Sequence, residues 1–179
     1  MSMTQSEFLK HLSTFARTIS YQSFGLISHI PEPDSIVNAC YQNAERKVSQ
    51  DGGSVQYGWI FAHRRTAAFE SVGYFIATHH AVWRDSNRRL IDVTPFNTEV
   101  MHQPLNLDNK VYFLADDKAE PVPIKGMPGP LPMKFFPLNN GKKLLAYIEE
   151  LRSKEEEACQ EYYKSIANQV IANRTNSNK

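Results

Sequence analysis

The sequence predicts a single α+β domain, in which a helix that carries Cys40 packs on a mainly antiparallel sheet and a long helix follows near the C-terminus. A length of 179 residues suits one domain with one hydrophobic core. Apolar residues recur at helical spacing near both ends of the chain. In the middle they alternate with polar residues, as in strands with one buried face. We therefore expect one domain over residues 1–172, with its core over 34–116.

The N-terminal segment is predicted to be a helix over residues 5–21. Thr4 and Glu7 have the spacing of a capping box, in which each side chain binds a backbone N–H of the other residue. The apolar positions that follow repeat every three or four residues: Phe8, Leu9, Leu12, Phe15, Ala16 and Ile19. Pro31 and Pro33 exclude a continuous helix beyond this point, because proline lacks an N–H and disfavours helical conformation in its predecessor.

A second helix is predicted after these prolines. Asp34, Ser35 or Asn38 is expected to cap its N-terminus, and the Asp-Gly-Gly run at 51–53 is expected to end it. Cys40 then lies in its first or second turn. The positive end of a helix dipole lowers the pKa of a thiol placed there.

Three strands are predicted between residues 55 and 94. Apolar residues alternate over 55–61, which indicates a strand with one buried face. The stretch 72–84 is apolar on both faces, which is typical of a central strand. Turn-forming residues at 85–88 lead into 89–94, so we expect the last two strands to form a hairpin that ends at Pro95.

The C-terminal half is predicted to combine a proline-rich cover with a long helix. Seven of the ten prolines lie within 104–137, around a strand-like piece at 111–114. The aromatic content of this region predicts that 117–138 packs over the domain as a cover. A helix is predicted over 140–172, and a disordered tail over 173–179. The helix has an apolar stripe that should pack on the domain or on a second copy in a homodimer: Leu144, Ile148, Leu151, Ala158, Tyr162 and Ile166.

Composition and charge exclude several classes of function. With 20 Lys and Arg against 19 Asp and Glu, the chain has no net field that would attract nucleic acid or an anionic membrane. Residues 1–10 resemble neither a signal peptide nor a membrane span, so we expect a cytoplasmic protein, with export by a signal-less route left open. Two cysteines are too few for a disulfide framework, so Cys40 and Cys159 are both expected to be thiols.

The length of the hairpin loop decides which histidine can face Asp92. With an odd loop, such as residues 85–87, His80 lies across from Asp92 on one face of the sheet. An even loop would bring His79 to that face instead. Asn87 favours the odd loop, because the last residue of a three-residue loop is left-handed and asparagine tolerates this conformation. A thiol, an imidazole and a carboxylate contributed by different elements are the parts of a nucleophilic triad.

Four motifs, in this order, resemble the core of papain-like and transglutaminase-like cysteine enzymes. They are Cys40-Tyr41-Gln42-Asn43-Ala44, Tyr57-Gly58-Trp59, His80-Ala81-Val82-Trp83 and Leu90-Ile91-Asp92-Val93-Thr94. The resemblance covers about a third of the chain, residues 38–95. It departs from the family pattern at Trp83, which lies one residue late, at Val93, which replaces a proline, and in lacking an arginine before the glycine–aromatic strand. The same motifs, as Cys-x-x-Asn, Gly-Trp, His-x-Val and Asp-x-Thr-Pro, also occur in small uncharacterised bacterial proteins.

The resemblance implies cysteine-dependent acyl transfer on an amide or ester bond of a protein or peptide-like substrate, without a cofactor. Cys40 would be the nucleophile, His80 the general base and acid, and Asp92 the carboxylate that orients His80. Peptidase, amidase, deamidase and transglutaminase activities all fit this set of groups. Three further residues are candidates to support the triad or to line the substrate site: Asn43, Trp59 and His79.

Other interpretations of these residues stay open at this point. A cysteine in a helix is also compatible with simple core packing, and the chain would then be a non-catalytic interaction module that binds through its C-terminal helix. A Cys40 out of reach of both histidines, with no cleft beside it, would favour that alternative. Zinc at Cys40, His79 and His80 is disfavoured, because adjacent strand residues point to opposite faces. Cys159 lies among glutamates and is expected to be inert.

Overall fold

The structure, a computed structural model, describes residues 4–65, 73–97, 104–105, 107–121, 123–124, 127–129 and 131–177. In this part of the chain the elements are α1 (Gln5–Ile19), β1 (Phe24–His29), α2 (Cys40–Asp51), β2 (Ser54–Arg64), β3 (Tyr74–Arg84), β4 (Leu90–Asp92), β5 (Lys110–Ala115), β6 (Pro123–Ile124), β7 (Met127–Pro128), β8 (Lys134–Pro137) and α3 (Lys142–Ser177). The predicted combination of helices with a largely antiparallel sheet is confirmed.

Five strands close into a ring in the order β2, β5, β1, β4 and β3, because β3 also pairs with β2. The β1–β4 pair is parallel, and the other pairs of the ring are antiparallel. β8 extends the sheet beyond the ring by pairing with Tyr74–Ala77 of β3. β6 and β7 form a separate two-stranded unit. The sheet is therefore a small barrel with one additional strand.

Gly58 lets the barrel close. It lies on β2 where β5 crosses, and it pairs with His80 on one side and with Ala115 on the other. A Cβ atom at this position would overlap the carbonyl oxygen of Leu114 and lie 2.6 Å from the ring of Phe113. The glycine of the Gly-Trp motif is thus required by the close approach of two backbones.

The helices pack on different parts of the sheet. α1 buries Leu12, Phe15 and Ala16 against a cluster that includes Trp59 and Phe61 on β2. The capping box predicted for this helix is present at Thr4 and Glu7. α2 packs on β2 and β3 through Cys40, Ala44 and Ala81. The first turns of α3 bury Leu144 and Ile148 against Tyr74, Ile76 and Phe135.

The hairpin between β3 and β4 has the predicted odd parity but a different register. Arg84 pairs with Leu90, so the loop comprises residues 85–89 and not the expected residues 85–87. Arg88, and not Asn87, adopts the left-handed conformation, with φ of 64°. The Asp85 side chain closes the longer loop by accepting hydrogen bonds from the N–H and Nε of Arg89. A side chain that satisfies the turn in this way selects the five-residue loop.

Two helix boundaries differ from the sequence predictions. α2 begins at Cys40 with Ala39 as its N-cap and with no capping side chain, so Asp34, Ser35 and Asn38 do not cap it. α3 continues to Ser177, into the segment 173–179 that was predicted to be disordered, since no glycine or proline interrupts it. Residues 178–179 lie outside the described part of the chain.

The buried face of α3 matches the predicted stripe only in part. Leu144, Ile148 and Ile166 are buried, whereas Ala158 and Tyr162 are exposed.

Four of the strands were not predicted from the sequence: β1, β6, β7 and β8. The part of the predicted central strand before Gly73 lies outside the described residues. Among the described helices, none is both long enough and apolar enough to cross a membrane.

Changing Gly58 to alanine should destabilise the protein by about 1–3 kcal/mol or more, because the new methyl group overlaps β5. Gly25 on β1 is the matched control, since a Cβ atom there meets no atom within 4 Å. Chemical denaturation of Gly58→Ala and Gly25→Ala measures the two free energies of unfolding. Equal stabilities of the two variants would show that close approach at Gly58 is not a constraint.

Candidate active site

Cys40 lies at an opening in the sheet. On one edge of β3, β8 pairs with Tyr74–Ala77 and β4 pairs with Trp83 and Arg84. Between them, residues 78–82 have no strand partner on this edge within the described part of the chain. The first residue of α2 is placed here, and Cys40 packs against Ala81 of β3. Cys40 is buried, with 8% of its surface exposed.

His80 connects the thiol to a buried carboxylate. Its Nε2 lies 3.0 Å from Oδ1 of Asp92, a residue with no exposed surface. His80 also lies close enough to Cys40 for each group to shift the pKa of the other. Extending the hairpin register by one residue places Asp92 across from Val82, so His80 and Asp92 are diagonal neighbours on one face rather than directly opposed. The structure thus brings together all three predicted triad residues.

The electrostatics of this cluster favour a thiolate–imidazolium pair. Burial raises the pKa of the Cys40 thiol, but the charge and hydrogen bond of His80 and the N–H of Ala81 outweigh it, so the pKa is lowered overall. Burial lowers the pKa of His80, but the charges of Asp92 and Cys40 raise it well above the usual value. Both shifts increase the population of the ionised pair near neutral pH.

Asn43 and Thr94 align the helix with the triad. Asn43 is buried and lies on α2 three residues after Cys40. Its Nδ2 donates to the carbonyl of Ile36 at 2.7 Å and to Oγ1 of Thr94 at 3.2 Å, while its Oδ1 accepts from the N–H of Ile36. The N–H of Thr94 in turn donates to Oδ1 of Asp92 at 3.1 Å. One chain of hydrogen bonds therefore runs from the cysteine helix to the carboxylate.

His79 has a separate set of partners on the other face of β3. Its Nδ1 accepts a hydrogen bond from the Tyr41 hydroxyl, and its Nε2 donates to the carbonyl of Ala119. Burial lowers the pKa of His79 to about 4. Both ring nitrogens are occupied and the ring is neutral near pH 7, so His79 is a structural residue that supports Tyr41 beside Cys40.

Trp59 lies in the core and not in the cavity beside Cys40. Its Nε1 donates to Oδ2 of Asp116 at 3.0 Å, and its ring packs in the cluster that α1 covers. It borders a cavity of about 500 Å³ that also contacts Arg152 and does not include the triad. Trp59 therefore does not line the cavity beside Cys40, although its ring contacts His79 at 5.3 Å between centroids.

A cavity of about 370 Å³ opens beside Cys40 and His80. Its described lining contains no aspartate, glutamate, lysine or arginine. The residues that give it an apolar character are Ile60, Pro95, Phe96, Pro104 and Met133. Asn38, Tyr41, Thr78, His79, Thr94 and Asn97 complete the lining. A ligand next to the sulfur would meet mainly hydrocarbon.

The N-terminus of α2 adds backbone donors at the same place. Because Ala39 provides no capping hydrogen bond, no cap side chain occupies the N–H groups of the first turn, which begins at Cys40. Such groups, together with the helix dipole, stabilise negative charge that develops on an oxygen nearby.

Sequence reasoning missed Thr94, Tyr41 and His29. Thr94 was part of a motif, yet its hydrogen bonds to two different elements depend on tertiary structure. Tyr41 is next to Cys40, but its contact with His79 depends on how α2 packs. His29 lies at the end of β1, a strand that was not predicted.

Comparisons with protein-family models, curated proteins and solved structures returned no match.

The burial of His79 should make the protein less stable as the pH falls from about 6.5 to 4. Unfolded histidine binds a proton below about 6.5, whereas folded His79 binds one only near pH 4. The unfolded state therefore binds more protons in this window, and the free energy of unfolding decreases by up to roughly 3 kcal/mol. Near pH 6.5, His80 has the opposite effect, because its raised pKa keeps it protonated in the folded state while part of the unfolded population has lost the proton. This contribution is common to wild type and to a His79 variant, so the difference between them reports His79.

Denaturation curves between pH 4 and 7 test this effect in wild type and in His79→Gln. Glutamine can accept from Tyr41 and donate to Ala119 without titrating. We expect the variant to lose less stability on acidification. The same slope in both proteins would mean that His79 is not held neutral.

Proposed function

We propose that the protein is a cysteine-dependent enzyme that transfers an acyl group from an amide or ester. The observation that supports this most strongly is that His80, which is hydrogen-bonded to the buried Asp92, lines the same cavity as Cys40 and interacts with its thiol. A thiol, an imidazole and a buried carboxylate in this order are the parts that nucleophilic catalysis requires. The lowered pKa of Cys40 and the raised pKa of His80 add support.

In the proposed reaction, the Cys40 thiolate attacks the substrate carbonyl and forms a C–S bond. The oxygen of the tetrahedral intermediate takes up the negative charge, next to N–H groups at the start of α2. Protonated His80 then gives its proton to the leaving amine or alcohol as the C–N or C–O bond breaks. Water or an amine attacks the thioester, His80 takes its proton, and the thiolate leaves. Asp92 holds the imidazole in one orientation throughout.

The arrangement of elements is compatible with a papain-like or transglutaminase-like core. In that interpretation, the N-terminus of α2 places the nucleophile against a barrel, and β3 and β4 present the histidine and the carboxylate. The four sequence motifs lie on these elements and on β2. Hydrolysis and transfer to an amine both fit this site, since the attacking group is chosen by the second substrate.

The walls of the cavity favour a substrate whose acyl side is apolar. Ile60, Phe96 and Met133 line the cavity that Cys40 and His80 also line, and its described lining contains no aspartate, glutamate, lysine or arginine. Burial of an apolar side chain against such a surface adds about 1.5–3 kcal/mol of binding. A peptide-like acyl donor with an aliphatic or aromatic side chain is the class that fits.

The alternative of a non-catalytic interaction module has less support. It would be favoured by a Cys40 out of reach of both histidines and without a cleft, whereas Cys40 contacts His80 beside a cavity. A homodimer through α3 stays a prediction. Leu145 and Tyr162 are the large apolar residues that this helix exposes within residues 142–166.

Iodoacetamide should modify Cys40 well before Cys159 in the native protein at about pH 6. The pKa of Cys40 is lowered by His80 against the effect of burial, whereas burial and Glu155 raise the pKa of Cys159. Peptide mass spectrometry gives the two rates. His80→Ala should slow the labelling of Cys40 by roughly tenfold or more, since each unit of pKa changes the thiolate population tenfold.

His79→Gln is the matched control, because His79 neighbours His80 in sequence but bonds to Tyr41 and Ala119. Its labelling rates should equal those of wild type. Cys40 modified no faster than Cys159, in a folded protein, would remove the basis for a catalytic thiol. An acyl electrophile followed by peptide-library profiling then identifies the substrate.

Placing a charge at Met133 should weaken reaction with apolar substrates. In Met133→Lys, an acyl electrophile with a phenylalanine side chain should label Cys40 about tenfold more slowly, because its ring would lose apolar contact. Met133→Leu should react like wild type. Labelling by iodoacetamide, which is too small to need the wall, should be unchanged in both variants. If wild type reacts as fast with a charged electrophile as with an apolar one, the apolar preference is wrong.

A further inference from the structure

Only one of the two carboxylate oxygens of Asp92 accepts a hydrogen bond from His80. Oδ1 accepts hydrogen bonds from Nε2 of His80 and from the N–H of Thr94. Oδ2 is fully buried and has no hydrogen-bond partner within the described part of the chain. A buried carboxylate oxygen without a donor is strongly unfavourable. A donor that faces Oδ2 therefore has a large influence on how the carboxylate is held.

The donor that faces Oδ2 is His29. This residue ends β1, which runs parallel to β4, and it pairs in register with Asp92. Its Nε2 lies 4.0 Å from Oδ2 of Asp92 and 2.9 Å from the carbonyl oxygen of Thr94. Because a carbonyl only accepts, Nε2 must carry a proton and donate it to Thr94, while the same nitrogen stays 4.0 Å from Oδ2.

The ring of His29 is held in this orientation by its surroundings. It is 8% exposed, and it stacks on Phe96 with ring centroids 3.8 Å apart and an angle of 8° between the planes. Its backbone N–H donates to the carbonyl of Asn109 at 2.8 Å. Phe96 also lines the cavity beside Cys40, so the same aromatic ring contacts His29 and the substrate space.

We propose that His29 is a positioning residue for the acyl-transfer site, which keeps Oδ1 of Asp92 on His80 by binding Thr94 and facing Oδ2. The hydrogen bonds of the Thr94 backbone connect His29 to Asp92. The N–H of Thr94 binds Oδ1, and its carbonyl binds His29, so both ends of this residue are held. Without His29, the Thr94 carbonyl loses its donor, and Thr94 is held only through its N–H and through the contact of its Oγ1 with Asn43, so Oδ1 of Asp92 is held less firmly against the imidazole.

The inference deepens the proposed function and rests on it for its catalytic consequence, but it predicts an effect on His80 that is independent of catalysis. Imidazole ¹⁵N NMR follows the titration of His80 in wild type, His29→Phe and His29→Gln. Phenylalanine retains the stacking on Phe96 and has no donor, whereas the glutamine amide retains a donor. We expect the pKa of His80 to fall by about one unit in His29→Phe, a tenfold change in protonation, and to stay near wild type in His29→Gln.

Labelling of Cys40 at pH 6 should fall by about tenfold in His29→Phe and little in His29→Gln, since the thiolate depends on the charge of His80. A His80 titration that is unchanged in folded His29→Phe, or that shifts equally in both variants, overturns the role of His29. If His80 responds as expected but wild-type Cys40 proves unreactive, the acyl-transfer function fails and the role of His29 stands.

A wild-type measurement covers the case in which His29→Phe does not fold. The ¹⁵N shifts of neutral His29 should show a proton on Nε2 and none on Nδ1, because Nε2 donates to Thr94. A neutral His29 with its proton on Nδ1 would overturn the inference.

Discussion

A carboxylate without exposed surface is stable in a protein only where donors and positive charge surround it, and Asp92 imposes this condition on the whole fold. β4, which carries Asp92, lies between β1 and β3 in the barrel. The flanking strands each contribute a histidine, His29 and His80, on either side of the carboxylate. The closed barrel and the triad are therefore one arrangement, since opening the ring on either side of β4 would expose the charge.

The same condition places the cysteine. Cys40 and Asn43 are three residues apart on α2, so they lie on one face of the helix and both point toward the sheet. Cys40 contacts His80, while Asn43 binds Thr94 beside the carboxylate. Two contacts one turn apart define both the rotation of the helix and its position along its axis. The sulfur is consequently held against the imidazole by ordinary helix geometry rather than by strain.

Much of the candidate site could be predicted from sequence, because it depends on local rules. Strand parity places His80 and Asp92 on one face for any odd loop, so the prediction holds although the loop has five residues. The loop length itself depends on the Asp85 side chain. Its hydrogen bonds to Arg89 favour a five-residue loop over the three-residue loop that would end at Asn87. β1 left little local signal, because it is a short strand with a glycine whose partners are distant in the chain. His29 was missed with it.

The parallel pairing of β1 with β4 also makes the surroundings of Asp92 depend on distant parts of the chain. It joins Ser28 to Ile91 and His29 to Asp92, across the sequence of α2, β2 and β3. Closing so long a loop is an entropically costly step, and contacts of high sequence separation slow folding. The His80–Asp92 pair is local to the β3–β4 hairpin, whereas the approach of His29 to the carboxylate requires the closed loop. A folding intermediate that contains the hairpin without β1 would therefore leave this side of Asp92 open to water.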